Sequence, residues 1–249
     1  MTTIVPALAA VIAASVATTT AASAAHQTQA KDDARSGYLA LGDSYTIGEG
    51  VDDADRWPMQ LARGLREAGI ALDDPRIIAT TGWTTDELSA ALDAVEPLGD
   101  DWALVSLLIG VNNQYRGRPV DDYVPEFTAL LDRAIAYARG DARSVIVLSI
   151  PDWGVTPFAF AGSFDSEVIA EALDAYNAAA ARICAARGVA FVDITPVSRE
   201  RGADTDMLVE DALHPSAAMY AEWTARALPV ARRLLSEPRT DTRTEASTE

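Results

Sequence analysis

The sequence predicts a three-layer α/β/α sandwich around a five-stranded parallel sheet, and three observations carry that reading. Short apolar runs alternate with longer helical patterns across residues 37–235. Each run is followed by a helix long enough to cross back over a sheet, which implies parallel pairing and right-handed crossovers. Hydrophobic residues make up 49% of the 249-residue chain and charged residues 23%, the composition of a folded domain rather than a disordered or fibrous chain.

Taken in order, Tyr38–Leu41 is the first strand, followed by a helix near 57–68 that Pro58 starts and Gly69 ends. Arg76–Ala79 is the second strand, and Thr85 opens a helix near 85–95. Trp102–Ile109 forms the third strand; the helix after it, near 124–139, begins at Pro125 and stops at Gly140. Ser144–Ile150 and Val189–Ile194 supply the last two strands, separated by a helix near 166–187 that Gly188 ends. A final helix near 217–235 is capped by Ser216. A ligand is then expected at the carboxyl ends of the strands.

Outside this domain, residues 1–30 carry no charged side chain, and an apolar run from Ile4 to Ala17 precedes Ala22-Ser23-Ala24, a small-x-small pattern. We read residues 1–25 as a secretory signal peptide that directs export, despite the missing basic residue in Met1-Thr2-Thr3. Residues 26–36 serve as a linker, and 236–249 (SEPRTDTRTEASTE) form a polar tail without apolar periodicity.

Charge and rare residues exclude several function classes. Twenty basic against 37 acidic residues give a formal net charge of −17, which repels phosphate backbones and anionic headgroups; nucleic acid is not an expected partner. The doublets Asp52/Asp53, Asp73/Asp74, Asp100/Asp101 and Asp121/Asp122 lie in apparent turns and read as solvated surface. Cys184 is the single cysteine, so neither an intrachain disulfide nor a cysteine zinc site is expected. No metal and no organic cofactor are called for, no obligate protein partner is evident, and a monomer is expected. Of the two histidines, only His214 falls within the domain.

The chemistry-bearing residues gather at strand ends. The first strand runs into Gly42-Asp43-Ser44-Tyr45, the second into Thr80-Thr81-Gly82-Trp83-Thr84-Thr85 and the third into Gly110-Val111-Asn112-Asn113. Gly82 lets backbone approach a ligand with its N–H free. In Asp211-Ala212-Leu213-His214-Pro215-Ser216, a spacing of three lets Asp211 fix the tautomer of His214, and Pro215 keeps the pair in a loop. Asp43, in its turn, is expected to bond local backbone N–H groups. Read alone, Ser44 could be a capping residue, and Gly82 and Asn112 plain turn residues.

Together, Gly42-Asp43-Ser44, Gly82, Gly110-x-Asn112 and Asp211-x-x-His214 appear in the order seen in the SGNH hydrolases, the GDSL-type esterases and lipases, which the chain resembles over about residues 37–235. The resemblance implies their flavodoxin-like fold and a serine esterase acting through an acyl-serine. It further implies Ser44 as nucleophile, His214 as general base, Asp211 as its orienting acid, and an oxyanion hole from the Ser44 and Gly82 N–H groups and the Asn112 amide. Carboxylic esters of short acyl chains, acetylated sugars or lysophospholipids are the implied substrates, with acyl transfer on the same intermediate, or glycan or lipid binding without catalysis, as rivals. Two positions depart from the family pattern: Asn113 stands where Asp is usual, and Tyr45 where Leu is. Local hydrogen bonding is expected to change at Asn113, with the donor Asn112 kept.

Four aromatics are candidate substrate contacts. Trp83 and Tyr115 flank the second and third blocks; Trp153 and Phe158 belong to the aromatic stretch Pro151–Phe164 after the fourth strand. Each reads equally as core packing or pocket wall.

Overall fold

A computed structural model describes residues 36–236. The expected leader, nearly all of the linker and the tail after Ser236 lie outside the described residues. The five strands are β1 (Tyr38–Gly42), β2 (Arg76–Ala79), β3 (Leu104–Leu108), β4 (Val145–Leu148) and β5 (Ala190–Val192). They form one parallel sheet in the order β2-β1-β3-β4-β5, so the α/β/α expectation holds. Strands β1, β3 and β4 are buried along their whole length, whereas the edge strands β2 and β5 are partly open. A strand covered on both faces needs a continuous apolar run, and YLALG, LVSLL and VIVL supply it.

Register then sets the working edge. Gly42 pairs with Ala79 on one side and Leu108 on the other, so β1, β2 and β3 finish level with one another. Strand order reverses between β1 and β3, which opens a crevice between the turns that leave them.

The helices are α1 (Ser44–Ile47), α2 (Trp57–Glu67), α3 (Thr85–Val95), α4 (Val111–Tyr115), α5 (Val120–Tyr137), α6 (Pro157–Ala161), α7 (Ser166–Arg187), α8 (Thr195–Arg201) and α9 (Ala217–Ser236). Helices α2 and α9 pack together, while α5 packs against both α3 and α7. Trp57 of α2 and Trp223 of α9 are completely buried. The cap expected at Ser216 is present: its Oγ accepts the Met219 N–H at 3.4 Å.

Two expectations change. The third crossover helix starts at Val120, behind an N-cap at Pro119, and Pro125 lies inside it rather than at its start. Burial explains this extra turn, because Tyr123 stacks on Phe127 and Tyr176 with ring centroids 5.1 and 4.6 Å away. The stretch 151–164 carries structure of its own, a 3₁₀ turn at Trp153–Val155 followed by α6. Asp152 accepts the Gly154 N–H at 2.9 Å and Thr156 the Ala159 N–H at 3.3 Å, so each short element is capped by its own sequence.

Candidate active site

Ser44 is the first residue after β1 and its capping aspartate. Asp43 accepts the Tyr45 N–H at 3.0 Å, and α1 ends on Gly48 at φ 74°. So abrupt a strand-to-helix turn needs a glycine before it. A Cβ on Gly42 would meet the Leu108 carbonyl oxygen at 2.5 Å and collide with Thr46 Oγ1. Ser44 is only 4% exposed. As the first helical residue it has an N–H with no intrahelical acceptor, and none among the described residues takes it.

Past β2, the Trp83 N–H donates to the Thr80 carbonyl at 3.2 Å, closing a turn in which Gly82 adopts φ 89°. A Cβ at Gly82 would make only an ordinary contact with Arg116 Nη2 at 4.0 Å, so the backbone angle rather than crowding demands glycine. Its N–H also lacks an acceptor among the described residues, while its carbonyl accepts Arg116 Nη2 at 2.7 Å. Beyond β3, Asn112 on α4 donates one amide hydrogen from Nδ2 to the Trp83 carbonyl at 2.9 Å; the amide has a second hydrogen to give.

Asp211 and His214 occupy a closed loop. The Val209 N–H donates to the His214 carbonyl at 2.9 Å, the Ala212 N–H to Val209 at 3.0 Å and the Ser216 N–H to Met207 at 2.9 Å. Asp211 Oδ1 accepts the Leu213 and His214 N–H groups at 2.8 and 2.9 Å, and Oδ2 lies 2.5 Å from His214 Nδ1. Burial works to raise the Asp211 pKa, but the hydrogen bonds from the His214 ring and from these backbone groups outweigh it and hold the carboxyl below its ordinary value. An ionised carboxylate accepts a proton-bearing Nδ1, which leaves Nε2 as the basic nitrogen. The ring rests edge-on against Tyr45, centroids 5.8 Å apart.

These pieces surround one cavity of about 190 Å³. Ser44, Gly82, Asn112 and His214 all line it, together with Thr81, the apolar Val111 and Leu213, and the aromatic Tyr45, Tyr115, Trp153 and Phe158. Ser44 and His214 share this lining, with no hydrogen bond between their side chains. Asp211 stands behind the ring. Trp83 is not among the lining residues: it packs against the hydrophobic core and offers the site only its carbonyl. Trp153 is fixed by donating Nε1–H to Gln114 Oε1 at 2.8 Å, and it meets the rings of Tyr115 and Phe164 at 5.4 and 5.0 Å.

Val111, Leu213 and Thr81 stand inside the motif blocks, yet the sequence assigns them no role in the site. Gln114 carried no signal at all, since its role depends on a tryptophan 39 positions away. Cys184 is buried, and burial pushes its thiol up to about 12, in keeping with a small apolar filler. Among the described residues, no group of three or more His, Cys, Asp or Glu side chains converges as a metal site.

Residues 40–222 match the model of the GDSL-like lipase/acylhydrolase family. The chain belongs to that family. Members are ester hydrolases, and in this member of the GDSL-like family one residue from each of the four sequence blocks, Ser44, Gly82, Asn112 and His214, borders the cavity. No curated protein sequence matches it. Solved structures resemble it in fold. TesA aligns with a TM-score of 0.60 at 20% identity, over 80% of this chain and 99% of that one. The psychrotrophic esterase EstA from Pseudoalteromonas sp., in a structure inhibited by monoethylphosphonate, aligns at 0.62 and 16%, over 81% and 99%. Phospholipase A1 from Streptomyces albidoflavus NA297 aligns at 0.53 and 23%, over 80% and 99%.

Proposed function

We propose that this GDSL-like hydrolase is a serine esterase for carboxylic esters with short acyl chains, and that it works through an acyl-serine. One observation carries the reading. The N–H groups of Ser44 and Gly82, without acceptors among the described residues, and the Asn112 amide border the same cavity as a histidine whose Nδ1 is held by a carboxylate. A serine hydroxyl is a weak nucleophile until a base takes its proton, and the resulting oxyanion needs donors already in place.

In this scheme His214 Nε2 removes the Ser44 proton as Oγ attacks the ester carbonyl carbon. Ser44 N–H, Gly82 N–H and Asn112 Nδ2 donate to the oxyanion. The C–O bond to the alcohol breaks as the imidazolium returns the proton to the leaving oxygen. Water, deprotonated by the same nitrogen, then attacks the acyl-serine; the second tetrahedral intermediate expels Ser44, which recovers the proton, and the acid departs. Asp211 keeps Nδ1 protonated and stabilises the imidazolium at both stages.

Cavity size supports a short acyl group. The cavity holds about 190 Å³ and is lined in part by Trp153 and Phe158, room for a small acyl group beside aromatic rings.

The test is fluorophosphonate labelling of intact protein and of Ser44→Ala, alongside hydrolysis of p-nitrophenyl esters from acetate to palmitate. The reading expects labelling and turnover that both vanish in Ser44→Ala, with rates falling as the acyl chain lengthens from acetate to palmitate. An unlabelled intact protein overturns it in favour of a binding module. Labelling with acyl transfer to added alcohol far ahead of hydrolysis replaces it with an acyltransferase.

A further inference from the structure

We propose that Asn113 and Glu126 form a matched positioning pair that holds the Gly82 N–H in register with the Asn112 amide; the proposal rests on the esterase reading above. The two donors come from different strand ends, β2 and β3, and a shift of one against the other would spoil the oxyanion site. Three side chains from the segment after β3 grip the β2 turn. Asn112 Nδ2 donates to the Trp83 carbonyl at 2.9 Å and Arg116 Nη2 to the Gly82 carbonyl at 2.7 Å. The third grip is the buried one. Asn113 and Thr85 are both completely buried, and the Thr85 N–H donates to Asn113 Oδ1 at 3.0 Å.

That bond orients the whole network. An N–H can only donate, so the amide oxygen of Asn113 faces Thr85 N and its NH₂ group faces the opposite way. There, Nδ2 donates to Thr85 Oγ1 at 2.6 Å and reaches Glu126 Oε2 at 3.4 Å, while the Thr85 hydroxyl donates to Glu126. Glu126 comes from α5, which packs on β3 and α3, so the network ties the β2 turn to the sheet through a rigid helix. Donors and acceptors match with a single negative charge among them.

Aspartate at 113, the residue usual in the family pattern, would break this match. Its carboxylate would face the Glu126 carboxylate across 3.4 Å, with one Thr85 hydroxyl proton to share. Two like charges so close in a part-buried site are unfavourable. With glutamine at position 126 as well, the network mirrors itself instead. The introduced amide donates to Thr85 Oγ1, the hydroxyl proton turns to the carboxylate at position 113, and the Thr85 N–H keeps its acceptor. Position 113 is thus free to be Asn or Asp only in concert with position 126.

The experiment compares wild type, Asn113→Asp, Glu126→Gln and the double variant, each below its own melting temperature. Fluorophosphonate labelling and kcat and KM on p-nitrophenyl acetate are the readouts. Asn113→Asp is expected to lower kcat by about tenfold or more with KM within about twofold, as misplaced transition-state donors do. Adding Glu126→Gln is expected to bring kcat back to within about threefold of wild type. A labelled wild type with unchanged kcat in Asn113→Asp, or a deficit that the double variant keeps in full, overturns the positioning role alone. If Asn113→Asp does not fold, the double variant decides: folded and active supports the pair, folded and inactive overturns it. An unlabelled wild type overturns the esterase reading and the positioning role with it.

Discussion

Asp43 and Asp211 are two carboxylates beside one cavity whose environments drive them in opposite directions. Asp43 is completely buried, with Oδ1 on the Tyr45 N–H and Oδ2 without a partner among the described residues. Burial, only partly offset by that N–H, pushes its pKa up to about 7. The folded state therefore keeps a proton that the unfolded chain gives up near an ordinary Asp pKa of about 3.9. Stability from this group is greatest below the lower value and falls as pH rises toward the higher one. Asn keeps the capping oxygen, so Asp43→Asn is expected to flatten the decline in urea midpoint between about pH 4 and pH 7. An unaltered slope would show Asp43 ionised throughout. Asp211 behaves conversely: its lowered pKa contributes stability above the unfolded value, lost as pH falls through the folded one. Asn112→Ala removes a single proposed oxyanion donor and is expected to reduce kcat by about 10² to 10³-fold with little change in KM. A loss confined to KM would place Asn112 in substrate binding instead.

Among the elements, the β1–α1 junction has the least room. Gly42 lies against the Leu108 carbonyl of the neighbouring strand, so Gly42→Ala must push β1 and β3 apart at the edge where Ser44 emerges. Overpacking of this kind costs about 1–3 kcal/mol, and both melting temperature and esterase rate are expected to fall. Ala at 42 with wild-type stability and rate would mean the junction can relax. This motif glycine was visible in the sequence; its reason was not, since the clash involves a carbonyl on a strand far along the chain. The longer helices were legible because three or more turns display period and caps: Thr85–Val95 and Ser166–Arg187 appear with the expected bounds. Helices α1, α4, α6 and α8 have four to seven residues, too few for a periodic signal. For α5, the turn before Pro125 depends on Tyr123 meeting Tyr176 of α7.

For the whole molecule, net charge makes a separate prediction. With 37 acidic against 20 basic residues, the folded chain repels itself. Exposed ion pairs such as Arg187–Asp132 at 2.7 Å and Arg66–Asp74 at 3.0 Å relieve that locally, but solvent and side-chain entropy leave each of them little net contribution. Screening the long-range repulsion should outweigh weakening those pairs. Melting temperature is accordingly expected to rise as NaCl goes from about 0.01 to about 0.3 M; a fall would mean the pairs dominate. At this scale the sequence by itself determined the α/β class, the four motif blocks and the Asp211–His214 pairing, because each is written in composition or in residues within a few positions of one another. Strand order, the level ends of β1, β2 and β3, the removal of Trp83 from the cavity and the partnership of Asn113 with Glu126 were decided only by the tertiary structure. Each depends on which distant surfaces pack together, and burial and donor–acceptor matching across the sheet select that packing collectively.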